Sequence, residues 1–439
     1  MAKHSPLSKQ SGELNMSQGH DKKGRPLVAV TGMGVVTSLG NGKADNWAAL
    51  TQGRSGIRSI TRFPTDGLRT TIAGTVDTLK VSPYSAPSLS IAMALEAANE
   101  ALHEAQAGSN GKFPGPLFLA TPPAELEWPQ RRALYQSALD KNESGYRRLL
   151  ASARASDWDE MQSLFQFSSV ANHVAERLGT RGLPTSVSTA CASGATAIQL
   201  GVEAIRRGET DAALCIGTDS SVQIEALIRF SLLSALSTNN AAPEQASRPF
   251  SKNRDGFVMA EGAGALVLES YEGAKRRGAR ILGFVRGCGE KADDYHRTRS
   301  KPDGTAIIGA IRNAIDDACL SPDDIDYVNA HGTSTPENDK MEYLSLKAVI
   351  GDRVANVPMS SNKSMIGHTL SAAGAIEAVF SLLTIRNGTL PPTINYAVPD
   401  AEIPMDVVPN VARQARVQAV LSNSFGFGGQ NAALVITAP

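Results

Sequence analysis

The sequence predicts an α/β protein of two similar halves, each a parallel-rich sheet covered by helices, and three observations carry that prediction. First, apolar β-type runs alternate with small-residue helical stretches across short turns, the pattern of βα units. Second, the chain repeats itself. Leu183 to Gly208 runs strand, turn, small-residue helix and Arg206-Arg207-Gly208, and Val357 to Gly388 runs the same way to Arg386-Asn387-Gly388. Third, a strand follows each of these helices, near 212–217 and 418–423, and another closes each half, near 263–269 and 432–436. Duplication of such a unit implies two mixed sheets packed back to back.

A chain of 439 residues, 42% hydrophobic and 20% charged, can bury one large duplicated core. Lys plus Arg and Asp plus Glu balance at 43 each, so bulk charge favours neither nucleic acid nor a membrane surface, and an electrostatic partner must be met by a local patch. The four cysteines, Cys191, Cys215, Cys288 and Cys319, form no CxxC pair and no metal-ligand spacing, which predicts free thiols, a cytoplasmic setting and no bound metal or other cofactor. No uninterrupted apolar twenty-mer predicts a membrane span. Residues 1–25 are polar and read as a disordered tail, 26–270 as the first half and 271–439 as the second.

Taken in order, Pro26 to Val36 reads as a strand broken by Gly32 and Gly34, followed by a turn and a helix around Trp47 to Leu50. Thr31-Gly32-Met33-Gly34 lacks the third glycine of a dinucleotide fingerprint, so nucleotide binding is not expected. An Ala-rich helix near 88–107 and a short strand from Pro116 to Ala120 come next. A helical excursion at about 121–177, carrying Trp128, Trp158 and many charges, interrupts the core pattern.

Candidate chemistry lies where strands end. Ser186 to Val187 leads through Thr189 and Ala190 to Cys191 and a helix of small residues, where exposed N–H groups and the positive dipole end should lower a thiol pKa. Ile325 to Ala330 is a strand running into His331, and His368 follows the second reactive turn, with Lys363 five residues before it. Glu342, on the helix after His331, is expected within reach of Lys363. Each residue alone has a bland structural reading. Together one thiol and two imidazoles fit a carbon-nucleophile reaction better than hydrolysis, because two neutral imidazoles can both donate to one thioester oxygen.

Five segments, in order, carry a resemblance: Thr189-Ala190-Cys191-Ala192-Ser193-Gly194; Ser247-Arg248-Pro249-Phe250 with Arg254-Asp255-Gly256-Phe257; Asn329-Ala330-His331-Gly332-Thr333-Ser334-Thr335-Pro336; Lys363-Ser364-Met365-Ile366-Gly367-His368; and Asn423-Ser424-Phe425-Gly426-Phe427-Gly428-Gly429. On these the chain resembles the elongating β-ketoacyl-[acyl-carrier-protein] synthases over roughly residues 27–437. The resemblance implies a thiolase-like fold, layered α-β-α-β-α, and a decarboxylating condensation of an acyl chain with malonyl-acyl carrier protein in fatty-acid elongation. It implies that Cys191 carries the acyl chain, with its own N–H and that of Phe427 as the oxyanion hole. His331 and His368 would assist decarboxylation, and Lys363, paired with Glu342, would set the field around them. Thr333, Thr335 and Phe425 would meet the substrate, and Phe427 would be the gate. The partners implied are loaded acyl carrier proteins and a second copy in a homodimer.

The chain departs from the family pattern in two places. The turn after the Pro116 to Ala120 strand reads Thr121-Pro122-Pro123-Ala124-Glu125 in place of a Gly-rich one, which makes chain-length preference the least transferable property. The usual basic docking stretch near 80–90 holds only Lys80, so the excursion's Arg131, Arg132, Arg147, Arg148 and Arg154 are expected to replace it. Three alternatives stay open: a synthase for a specialised long-chain or polyketide-like product, a non-catalytic subunit shaping a partner's pocket, and a thiolase relative. A thiolase would need a second cysteine in the Asn423 to Gly429 loop, which has none.

Overall fold

The structure is a computed structural model that describes residues 19–108, 111–137, 142, 144–154 and 158–439. Ten strands set its plan: β1 (Val28–Thr37), β2 (Leu117–Ala120), β3 (Thr185–Val187), β4 (Ala212–Asp219), β5 (Gly262–Ser270), β6 (Gly283–Ala292), β7 (Tyr327–Asn329), β8 (Met359–Ser360), β9 (Ala419–Phe425) and β10 (Gln430–Thr437). The first half orders its strands β3-β2-β4-β5-β1 and the second β8-β7-β9-β10-β6, so each strand of the first half has its counterpart five strands later. In both halves the first three strands of that order are parallel and the last two antiparallel.

The sheets are not separate. Ala29 and Val30 of β1 pair with Phe284 and Gly283 of β6, and this antiparallel seam, with the short Gly40–Asn41 strand on β1, makes one eleven-stranded path. Nor do the sheets touch face to face. Two helices, α7 (Ser193–Arg206) and α13 (Ala373–Asn387), lie between them: α7 packs on β2 and β4 and also meets β10 and β6, while α13 meets β5 and β4 on one side and β9 and β10 on the other. A helix with sheet on two sides should be apolar all round. Accordingly every residue from Ala373 to Thr384 is buried.

The outer layers complete the α-β-α-β-α order, with α1 (Gly42–Thr51), α9 (Tyr271–Arg276) and α12 (Lys363–Ile366) as shorter connecting helices. Helix α2 (Ala86–Ala105) covers β1, β5 and β4 and packs on α6 (Ser169–Leu178), while α10 (Thr305–Asp317) covers β6 and β10 beside α11 (Pro336–Ile350). Helix α2 begins where Ser85 accepts the Ser88 N–H, with Pro87 in its first turn. The β1 glycines serve packing here: a Cβ on Gly32 or Gly34 would lie 2.0 Å from the Ala101 or Ala97 carbonyl oxygen of α2. Only Gly lets strand and helix approach that closely.

The excursion comprises α3 (Trp128–Gln136), α4 (Gly145–Arg154) and α5 (Asp159–Leu164) before α6. Of the expected tail, residues 1–18 lie outside the described residues. Residues 19–25 are packed rather than disordered, because Arg25 pairs with Asp21 and Asp317 and the Lys23 ammonium donates to the Asp316 carbonyl. No helix among the described residues is long and apolar enough to cross a membrane.

Where α7 and α13 cross, both present glycine. A Cβ on Gly194 would come 2.6 Å from the Ala375 nitrogen, and one on Gly374 would come 2.6 Å from the Ala195 nitrogen. Substituting Gly374→Ala should therefore cost about 1–3 kcal/mol through overpacking, read as a lowered midpoint in urea unfolding. An unchanged midpoint would show that the crossing has slack.

Candidate active site

Three reactive side chains arrive from different strand ends. Cys191 follows β3 at the entry to α7, after Ala190 in the left-handed region at φ 49°. Ser193 staples that turn: its hydroxyl accepts the Thr189 N–H at 2.8 Å and donates to the Ala190 carbonyl at 2.5 Å. His331 follows β7. The backbone of His368 is clamped between two neighbours, its N–H donating to Val258 and its carbonyl accepting from Ala260. The Cys191 sulfur and the ring nitrogens of His331 and His368 lie within 4.8 Å of one another.

Hydrogen bonds set the imidazole tautomers. His368 Nδ1 lies 3.2 Å from the Leu370 N–H and must accept from it, which leaves the proton on Nε2, 3.1 Å from Cys191 Sγ. His331 Nδ1 lies 3.5 Å from Lys363 Nζ, and its ring N–H faces the Phe425 carbonyl oxygen. Burial, reinforced by the Lys363 charge, holds both imidazoles well below the usual histidine pKa. Both are therefore neutral at pH 7.

The thiol departs from expectation. Burial pushes Cys191 up to about 11, while the Phe427 backbone N–H and the Lys363 charge pull back less strongly. The helix N-terminus does not win, because the burial of the sulfur outweighs it. At rest this residue is a thiol.

A second correction concerns Lys363. Its ammonium is paired with Glu377 on α13, both side chains being fully buried, and not with Glu342. Glu342 instead grips the His331 turn: its carboxylate accepts the N–H groups of His331 at 2.8 Å and Gly332 at 2.7 Å, and a side-chain N–H of Asn423 at 3.0 Å. Sequence reasoning missed Glu377, although a lone carboxylate in an otherwise apolar helical stretch was a usable signal. Burial raises Glu377 to about 7, against the pull of Lys363.

The site opens into a cavity of about 480 Å³ lined by Cys191, both histidines, Thr333, Thr335 and Phe427. The Thr333 and Thr335 hydroxyls bond each other at 2.9 Å on its wall, and Thr335 also caps α11 by accepting the Asn338 N–H. Phe425 is buried edge-on against His331, ring centres 5.7 Å apart. Phe427 is half-buried between Gly426 and Gly428 and begins a row of rings: Phe230 at 6.4 Å, then Phe257, then His368. The spacing of the sulfur and the imidazoles would admit a metal ion, but the Lys363 ammonium and the un-ionised thiol both oppose a cation. What the arrangement offers is a buried sulfur nucleophile facing the Nε2–H of His368 beside a second neutral imidazole, suited to stabilising negative charge on an oxygen.

The sequence models for the β-ketoacyl synthase N-terminal and C-terminal domains match residues 26–274 and 282–397. The chain is 39% identical over 427 residues to the tetracenomycin polyketide synthase ketoacyl synthase alpha subunit of Streptomyces glaucescens, covering 94% of this chain and 97% of that protein. It is 36% identical over 416 residues to a 3-oxoacyl-[acyl-carrier-protein] synthase 2 of Coxiella burnetii, covering 93% and 98%. Among solved structures, a type II polyketide ketosynthase in complex with its acyl-carrier protein, bound to the hexaketide, superposes with a TM-score of 0.83 at 32% identity, covering 94% of this chain and all of that one.

A buried thiol near pKa 11 should be alkylated by iodoacetamide about tenfold faster per pH unit from 6.5 to 9.5, followed by the mass of the Cys191 peptide. A plateau with a midpoint below 8 would show instead that the helix end controls the sulfur.

Proposed function

The chain belongs to the β-ketoacyl synthase family, and from that premise we propose that it elongates fatty acyl chains by decarboxylating condensation with malonyl-acyl carrier protein. The observation that carries this reading is the 3.1 Å approach of His368 Nε2 to Cys191 Sγ beside a second neutral imidazole. In the first half-reaction the Cys191 sulfur attacks the acyl thioester carbonyl and the carrier thiol leaves with a proton. The N–H groups of Cys191 and Phe427 take the oxyanion. In the second, the bond from malonyl carbon to carboxylate breaks and CO2 departs. The electron pair moves into an enolate whose oxygen accepts from His368 Nε2–H, with the neutral His331 ring beside it. The enolate carbon then attacks the Cys191 thioester, and the expelled thiolate takes a proton from solvent, the one proton that the overall reaction consumes.

Lys363 supplies the one positive charge at the imidazoles, and its pairing with Glu377 keeps that charge tolerable in a dry core. Thr333 and Thr335, on the cavity wall, would meet the pantetheine arm. Phe427, flanked by glycines, would swing to admit the acyl chain. We place the protein in the cytoplasm as a homodimer. Four free thiols favour a reducing compartment. The short edge strand β3, with Leu183 fully exposed beside it, favours pairing with a second copy.

The identity to a polyketide ketosynthase alpha subunit favours a second reading, in which the product is a polyketide-like chain. Incubation with malonyl carrier and saturated acyl carriers separates the two: one 3-oxoacyl product per acyl chain supports fatty-acid elongation, and repeated unreduced extension supports the second.

Cys191→Ala should lose the acyl-enzyme and all condensation while keeping its fold, since alanine fits among the small neighbours. His368→Ala should lose malonyl decarboxylation by more than it loses stoichiometric acylation. Equal losses in the two assays would sink that division of labour.

Carrier docking follows charge. Helices α3 and α4 contain no carboxylate and five arginines. Arg131 is tied to the Leu126 carbonyl and Glu125, and Arg148 stacks on Tyr135, leaving Arg132, Arg147 and Arg154 without a partner among the described residues. Glu125 also pairs with Arg229 of α8 (Ile224–Leu232), whose last residue lines the cavity, so the arginine hairpin is rooted beside the site. Reversing these three arginines to Glu should raise KM for a carrier-bound substrate roughly tenfold at low salt and less at high salt. Reaction with a small pantetheine thioester should not change. An unaltered carrier KM at low salt would remove the hairpin from docking.

A further inference from the structure

Asp219 is a buried carboxylate for which the chemistry above has no use. It ends β4, is wholly buried, and sits where the two halves meet under the turn that follows His368. One carboxylate oxygen accepts the Ser221 N–H at 2.9 Å within its own half, and the other accepts the Ser371 N–H at 3.0 Å from the opposite half. The hydroxyls of both serines also face it. Burial pushes the carboxyl up to about 6, which still leaves it ionised at neutral pH.

The three N–H groups that open the helical segment after His368 are each assigned. Leu370 donates to His368 Nδ1, Ser371 to Asp219 and Ala372 to the Thr369 carbonyl. The floor beneath them is tight: a Cβ on Gly217, two residues before Asp219, would lie 3.2 Å from the Ala372 Cα, and one on Gly262, the strand partner of Asp219, would lie 3.5 Å from a Thr369 methyl. The peptide that fixes the His368 tautomer is thus adjacent to the peptide that Asp219 holds. Leu370 itself sits in the left-handed region at φ 45°, a conformation a leucine keeps only when neighbours hold it.

We propose that Asp219 is a positioning residue: by holding the Ser371 N–H from across the interface between the halves, it keeps the Leu370 N–H on His368 Nδ1 and so keeps Nε2–H directed at Cys191. Its effect on catalysis rests on the ketosynthase reading, whereas its effect on the imidazole does not. A carboxylate can accept on both sides at once. An asparagine cannot, because its Nδ2 would confront one of the two N–H groups.

The test uses Asp219→Asn in the full chain, with folding checked by thermal unfolding. Imidazole 15N NMR, with the His368 signal identified by its loss in His368→Gln, should show a pure Nε2–H tautomer in the parent protein and a mixture of tautomers in the variant. Malonyl-carrier decarboxylation should fall on the order of 10- to 100-fold in kcat with KM nearly constant, the scale of losing an orienting partner. If Asp219→Asn fails to fold, Asp219→Ser, neutral and smaller, carries the same measurements. An unchanged His368 tautomer in the folded variant, with an unchanged decarboxylation rate, would overturn the proposal. If the parent protein decarboxylated nothing, the ketosynthase reading would fall, and the tautomer comparison would still judge Asp219.

Discussion

Everything in this molecule depends on two helices crossing at backbone contact between two sheets. Cys191 belongs to the turn that starts α7 and His368 to the turn that precedes α13, so the distance between sulfur and imidazole is set by how closely those helices meet. Gly194 and Gly374 allow that approach, each lying where any side chain would strike the other helix. The duplication matters for the same reason. Two copies of one strand-turn-helix unit, packed about a shared middle layer, bring two equivalent turns together without either being built for the other.

The second constraint is electrostatic. The site is dry, and dryness drives each ionisable group toward its neutral form: the thiol is pushed up and both imidazoles are pushed down. Lys363 and Glu377 form a buried ion pair there, in which each partner offsets the other's burial. Glu342 and Asp219, the other buried acids nearby, spend their oxygens on backbone N–H groups and hold the turns that carry the two histidines. The acids around this centre therefore divide between balancing a cation and fixing backbone.

How much of this was legible follows from the range of each signal. Strand ends, small-residue turns and helix starts are local, so Cys191, His331, His368 and Lys363 stood out from spacing and residue type, and the duplication of an α/β unit followed from the internal repeat, whereas the layering came from the family resemblance and the helices between the sheets replaced the back-to-back packing that the repeat alone implied. The partner of Lys363 was not legible, because Glu342 and Glu377 are both buried acids on helices following reactive turns. Which one meets the ammonium depends on the rotation of α11 and α13 about their own axes. The sign of the Cys191 shift failed for a related reason: the helix end is a local feature, whereas desolvation is the sum of everything packed around the sulfur.

By itself, then, the sequence determined the alternation of strands and helices, the repeat, the residues able to do sulfur and imidazole chemistry, and the family they mark. Those properties are written in nearest-neighbour patterns and side-chain types. Tertiary structure alone decided the seam that joins the sheets through β1 and β6, the pairing of Lys363 with Glu377, the tautomer of His368 and the placement of Asp219 beneath it. The seam, the ion pair and the Asp219 contact join segments from about fourteen to more than two hundred and fifty residues apart, and the tautomer, though set by an N–H two residues along, depends on the turn those contacts pack; all are fixed by helix rotation and sheet register.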